Sequence, residues 1–261
     1  MAIDAAQKAL AAENLTINDL TGIVCHTTTP PLNTPSMACM VLNALDKSGD
    51  AELMVYDVTA ACSGWLYALD AAHTTIQHNP DDFGTAILFG DAATATIARG
   101  AVEPTDTAEF RSDDSCEIPA GSMVLSQPVL AGKADPAHAI TVGFEGRGHI
   151  TMQGKRVFTE AVRAMTKMTN QAFDRSGAAL DDLDWLVPHQ ANARILEAAR
   201  IRLKIPKEKI INLIDVHGNT SSSSIPISIA KSTDKFLPGN IVGGCAVGGG
   251  FTFGAAILEI V

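Results

Sequence analysis

The stretch DVTAACSGW, residues 57–65, decides how the rest of the chain is read. It follows an apolar, strand-like run, LMVYDV (53–58), and opens GWLYALDAA (64–72), whose apolar spacing is helical. Cys62 therefore stands at a strand-to-helix turn. A thiol there is either an inert packed residue or a nucleophile. The unsatisfied N–H groups and dipole of a helix start lower a thiol pKa, so the place suits a nucleophile.

Outward from this turn the chain says things twice. Residues 1–28 read as an apolar-periodic helix, a polar turn and a strand, and residues 158–191 repeat that order, each with a "DL" before the apolar run. A helix follows each, and then a second strand. That strand is expected in AELMVYDVTAACSG in the first half and in KIINLIDVHGNTSSSS in the second. Each half closes on Gly-rich strands, in FGTAILFGDAATATIARG (83–100) and NIVGGCAVGGGFTFGAAILEIV (240–261). Strands alternating with helices predict an α/β fold with mainly parallel sheets under helical cover, and the duplication predicts two pseudo-twofold related βαβ halves. The expected division is residues 1–150 and 151–261. The loop-rich section at about 101–150 (EPTDTAEF, RSDDSCEIPAGS) reads as an insertion or linker. One mismatch stands out: NIVGGCAV has no counterpart in the first half, where HNPDDFG leads directly from a helix to TAILFGD.

Ligands of open α/β sheets collect at the carboxyl ends of strands. Four such ends carry chemistry here: Cys62 after LMVYDV, His189 after LDWLVP, His217 and Asn219 after INLIDV, and Gly248-Gly249-Gly250 after IVGGCAV. Taken singly, each has an ordinary explanation as packed thiol, loop histidine, or Asn/Gly turn. Together they form a coherent set. A thiolate attacks a thioester, imidazole and carboxamide N–H groups stabilise an enolate, and backbone N–H groups of a Gly turn hold an oxyanion.

The bulk properties exclude several classes. A net charge of −10 and a pI near 5.1 argue against a general nucleic-acid binder. No run approaches the roughly 20 apolar residues of a membrane span, and the N-terminus lacks the layout of a signal peptide. Five scattered cysteines, without CxxC pairs or metal spacing, fit free thiols in a reducing, cytoplasmic setting. There is no GxGxxG and no phosphate loop, so no nucleotide, metal or other cofactor is expected.

The motifs DVTAACSGW, FGDAATA, LDWLVPHQANARIL, HGNTSSSSIPI and GGGFTFGAAIL, in this order, resemble β-ketoacyl-acyl carrier protein synthase III, of the thiolase-like condensing enzymes. The resemblance extends over nearly the whole chain. It implies a layered αβαβα architecture and a Cys62-His189-Asn219 triad, with the amides of Cys62 and Gly249 as oxyanion hole. It places Phe158 and Thr34 in the acyl pocket and Arg194, with Arg202, at the docking site for acyl carrier protein. Arg200, Lys204, Lys207 and Lys209 are further basic candidates on and after the same helix. The implied reaction is acylation of Cys62 by an acyl-CoA primer, then decarboxylative condensation with malonyl carrier protein in fatty-acid initiation. A homodimer is implied, its interface sought around the first-half strands and residues 29–40.

The resemblance also marks departures. The family has a strand and loop before the helix that here begins at Met1, and a strand between the positions of Gln77 and Phe83. Phe83 stands where an Arg often holds the CoA adenine. Small residues around Thr34 replace a bulky one that closes the partner's pocket. Related alternatives are an acyltransferase of specialised metabolism making an ester or condensing without decarboxylation, a non-catalytic partner subunit, and a cysteine hydrolase.

Overall fold

The computed structural model describes residues 1–78, 92–98, 121–142 and 150–261. The first half runs α1 (Ala2–Ala12), β1 (Gly22–His26), α2 (Met37–Leu45), β2 (Met54–Val58) and α3 (Gly64–His78). Ala2, Ala6 and Leu10 form the buried stripe of α1, at the four-residue spacing of one helix face. β1 is buried along its whole length, which is why GIVCH is not alternating. It pairs in parallel with β2, from Gly22↔Met54 to His26↔Val58. Asp57 in β2 accepts the Met37 and Ala38 N–H groups at 2.8 and 2.9 Å, so a carboxylate of the strand caps the start of α2.

The middle section differs from the linker expected of it. It contains β3 (Met123–Leu125), β4 (Val129–Gly132), β5 (Ile140–Val142) and β6 (Ile150–Met152). The second half continues with α4 (Gly154–Ser176), β7 (Leu183–Pro188), α5 (Ala193–Leu203), α6 (Ile214–His217), α7 (Ser224–Ala230), β8 (Ile241–Gly248) and β9 (Thr252–Ile260). β3 and β4 both pair antiparallel with β9, so residues before 150 complete the second sheet, ordered β3-β9-β8-β7 with β4 further along β9. β7 and β8 are parallel and β8 and β9 antiparallel, which makes this sheet mixed.

KIINLIDV is not the strand expected. It makes one isolated parallel bridge, Ile210 to Leu186, which includes the bond from Ile211 N–H to Leu186 O at 2.8 Å. The buried carboxamide of Gln190 then takes over. Its Nε2 donates to Pro188 O (2.8 Å) and Ile211 O (3.2 Å), and its Oε1 accepts Leu213 N–H (2.9 Å). A side chain thus satisfies the backbone that a ladder would have paired, and the chain turns into α6.

The layers follow from the contacts. α2 lies on β1 and β2 with α1 beside it, and α3 touches β1 and β2 on one side and β8 and β9 on the other. α7 joins α3 in this central layer, where Trp65, Leu66, Leu69 and Ile225 pack with Val24, Val187 and Val242. α4 covers the far face of the second sheet with Val157, Ala161, Met165, Met168 and Ala172, and α5 packs beside it. The result is α/β, in five layers. Residues 92–98 form no ladder among the described residues, yet Ala93, Ala95 and Ile97 pack toward the outer core and Ala98 toward the central one, at strand period. The strand missing between Gln77 and Phe83, Phe83 itself, Cys116 and most of the presumed insertion lie outside the described residues. No helix among the described residues is long and apolar enough to cross a membrane.

The duplication is clearest at the centre. β2 leads through a 3-10 turn, Ala61–Ser63, into α3, and a second 3-10 turn, Ser221–Ser223, leads into α7. Each turn begins with a left-handed residue, Ala61 (φ 44°) and Ser221 (φ 53°), and the two turns touch.

Candidate active site

Cys62 is the middle residue of the first turn. The turn is fastened to the start of β9 by two bonds: Ser63 Oγ donates to Thr252 O (3.1 Å), and Thr252 Oγ1 donates to Ala60 O (2.9 Å). The Gly turn between β8 and β9 presses on it from behind. A Cβ added at Gly248 would lie 2.6 Å from Thr252 Oγ1, 2.7 Å from Ala60 O and 2.9 Å from Cys62 N. Only glycine permits this approach. On the other side, a Cβ at Gly64 would lie 2.2 Å from the His26 ring, so His26 is packed directly under the start of α3. His26 Nδ1 also bonds Val58 O at 2.9 Å.

His189 follows the last residue of β7 and is buried, its N–H bonded to Cys245 O at 2.7 Å. Its Nδ1 lies 2.6 Å from Ser224 Oγ, which also accepts Gln190 N–H at 3.2 Å. That leaves Nε2 as the ring nitrogen able to act on Cys62, whose thiol senses the nearby imidazole. Ser221 Oγ donates to Cys62 Sγ at 3.5 Å. Burial pushes the Cys62 thiol up, but the charge and hydrogen bond of His189, the Ser221 hydroxyl and its own N–H outweigh that, and the pKa falls below the ordinary thiol value. The contrast with the other cysteines is sharp: burial pushes Cys25 up, and Cys245 up to about 12. Cys62 thus combines a lowered thiol pKa with a neighbouring imidazole that is itself held by Ser224, an arrangement able to serve nucleophilic chemistry.

The remaining predicted residues are placed as follows. Asn219 is exposed on the loop before the second turn; its Oδ1 accepts Ser221 N–H at 2.9 Å, and it makes no contact with Cys62 or His189 among the described hydrogen bonds. Gly249 is in the turn beyond Gly248, with Ile140 next to it. His217 is exposed at the end of α6. Phe158 is 37% exposed near the start of α4, four residues before the buried Val162, and Thr34 is exposed on the loop before α2. Arg194 and Arg202 are exposed on α5 without an ion pair among the described residues. Two basic candidates serve the fold instead: Arg200 holds Glu197 and Ile205 O, and Lys209 donates to Leu183 O. Ser221, Ser224 and Gln190 escaped the sequence reading. A serine run after HGN signals a turn, and nothing in it tells which hydroxyl faces the sulfur.

The comparisons with known proteins agree with this geometry. The family described as 3-oxoacyl-[acyl-carrier-protein (ACP)] synthase III, C terminal, matches residues 173–260. β-Ketoacyl-[acyl-carrier-protein] synthase III of Nitratidesulfovibrio vulgaris is 35% identical over 99% of this chain and 83% of its own. That of Oleidesulfovibrio alaskensis is 37% identical over 98% and 82%. Among solved structures, 3-oxoacyl-[acyl-carrier-protein] synthase III of Aquifex aeolicus superposes with a TM-score of 0.80 at 28% identity, over 99% of this chain and 83% of that one. A strand-end thiol paired with a buried imidazole, on this scaffold and with this similarity, identifies the chain as a member of the β-ketoacyl-[acyl-carrier-protein] synthase III family of acyl-transferring condensing enzymes.

Proposed function

We propose that this condensing enzyme works through Cys62, His189 and Asn219 on an acyl-CoA primer and malonyl-acyl carrier protein. The observation that carries the reading is the placement of Cys62 in the turn that opens α3, its sulfur met by Ser221 Oγ at 3.5 Å and its thiol pKa lowered beside the buried His189. In the first stage Cys62 gives its proton to His189 Nε2, and the sulfur attacks the primer's thioester carbonyl. The new S–C bond forms, the C–S bond to CoA breaks, and CoA leaves with the proton. The amides of Cys62 and Gly249 serve the tetrahedral oxyanion; the tight seat of Gly248 behind Cys62 N favours a turn held rigid for that role.

In the second stage malonyl carrier protein loses CO2. Neutral His189 donates from Nε2 to the thioester oxygen, and the carboxamide of Asn219 donates to the same oxygen. The carbanion attacks the acyl-Cys62 carbonyl, releases the sulfur and yields β-ketoacyl carrier protein. Ser224 Oγ suits both stages: it accepts from Nδ1–H while Nε2 takes and passes on the thiol proton, and, after the ring has given its Nδ1 proton to solvent and taken one from solvent at Nε2, it rotates and donates to Nδ1.

Arg194, with Arg202, receives the acidic carrier protein, and Phe158 and Thr34 bound the acyl pocket, Thr34 across a homodimer interface. The protein works in the cytoplasm and needs no cofactor. Small residues near Thr34 predict primers longer or more branched than acetyl; a strictly acetyl-only profile would refute that. The decisive experiment is intact-protein mass spectrometry after brief exposure to a panel of acyl-CoAs. Adducts on the parent protein and none on Cys62→Ala are expected. A folded parent that takes no acyl group would overturn the acylation scheme.

A further inference from the structure

The mechanism above uses His189 and leaves unassigned the second side chain that reaches the sulfur. We infer that Ser221 is a catalytic residue: its hydroxyl is a dedicated hydrogen-bond donor to Cys62 Sγ and stabilises the thiolate that attacks the primer. The inference rests on the reading of Cys62 as the nucleophile.

Three observations carry it. The donor lies 3.5 Å from the sulfur, within hydrogen-bond reach for that larger atom. The hydroxyl is aimed there by a conformation that costs energy: Ser221 is left-handed at φ 53°, a region non-glycine residues seldom enter. That conformation is held by Asn219 Oδ1, which accepts Ser221 N–H at 2.9 Å, and by the bond of Ser223 N–H to Thr220 O at 3.2 Å. The third observation is the pseudo-twofold relation. Ser221 matches Ala61, the left-handed residue beside the nucleophile, and the two turns touch. In one half the turn presents a sulfur, and in the other it presents the donor that faces it.

The chemistry follows. A thiolate accepts hydrogen bonds strongly and a thioester sulfur weakly. A hydroxyl fixed on the sulfur therefore favours the charged state before attack and loses its partner once the acyl group is on. Ser221 keeps its own proton throughout, since the thiol proton goes to His189. Asn219 gains a second task, setting the direction of Ser221 through its Oδ1 while its amide group remains for the substrate.

The test is the pH profile of Cys62 alkylation by iodoacetamide, read on the Cys62 peptide by mass spectrometry. The variants are S221A and S221G. Alanine keeps the backbone demand and removes the hydroxyl, whereas glycine removes the hydroxyl and relieves the positive φ. Loss of one bond to a charged acceptor predicts that both variants move the midpoint upward by about one pH unit, with about tenfold slower alkylation below it. A midpoint unchanged in both variants, or moved in S221A alone, overturns the role for Ser221, because the effect would then be absent or only conformational. A wild-type midpoint at the ordinary thiol value would instead overturn the reading of Cys62 on which the inference stands.

Discussion

Replacing Gly248 with alanine puts the packing behind the nucleophile to a direct test. The new methyl would lie 2.7 Å from Ala60 O and 2.9 Å from Cys62 N, where ordinary contact begins near 3.4 Å. Thr252 Oγ1, at 2.6 Å, can rotate away, but only by giving up its bond to Ala60 O. The two backbone atoms cannot rotate. The Cys62 turn must retreat by roughly half an ångström or more, an overpacking strain of about 1–3 kcal/mol. In a protein of this size that lowers Tm by roughly 2–10 °C, which leaves it folded at room temperature. Catalysis is less forgiving: misplacing a reacting group by about 1 Å costs on the order of 100-fold. We expect G248A to show a modest Tm loss, and a fall of about ten- to a hundredfold in the rate of Cys62 acylation by an acyl-CoA, followed by rapid-quench mass spectrometry. Acylation at the wild-type rate in a folded G248A protein would refute the claim that this glycine sets the position of the nucleophile.

Three further outcomes are expected. Gln190→Ala orphans Leu213 N–H, Ile211 O and Pro188 O in a buried site and should cost about 2–4 kcal/mol, measured by urea unfolding; a loss below about 0.5 kcal/mol would mean that the segment pairs by other means. Cys245 is held protonated to about pH 12 in the folded protein, while an unfolded thiol ionises near 8.5, so the folded state binds the extra proton between those values. Stability should fall as pH rises through that window, and the fall should be shallower in Cys245→Ala, as read by isothermal denaturation. Arg194→Glu should raise KM for acyl carrier protein several-fold while leaving Cys62 acylation by acyl-CoA unchanged; an equal effect on both steps would place Arg194 elsewhere in the reaction.

The legibility of the chain follows from which interactions are local. Cys62 and His189 could be assigned to strand-to-helix connections because each follows shortly after an apolar strand, Cys62 four residues past Val58 and His189 directly after Pro188. The buried stripe of α4 was equally readable, but its phase puts Phe158 on the core side, four residues before Val162 and seven before Met165, and only the tertiary structure leaves that ring partly exposed. KIINLIDV misled because its apolar pattern is that of a strand; the deciding partner is the carboxamide of Gln190, about twenty residues away. β3 and β4 are too short to announce themselves, and they exist because β9 offers an antiparallel edge more than a hundred residues later. Ser221 and Ser224 were hidden for the same reason. In a run of four serines, composition states the polarity, but only the packing of one turn on another selects which oxygen meets the sulfur and which meets the imidazole.

The meeting of the two turns sets a minimum size for the working machine. The sulfur comes from one half of the chain, while the imidazole and the hydroxyl come from the other. Nicking the chain between the halves could be survived if the pieces stay associated, since what must be preserved is contact and not continuity. Either piece expressed alone would carry half a reaction centre, however well it held its shape. Mixing the separately purified pieces and asking whether iodoacetamide reactivity returns would measure how strongly the two sides of the axis recognise each other.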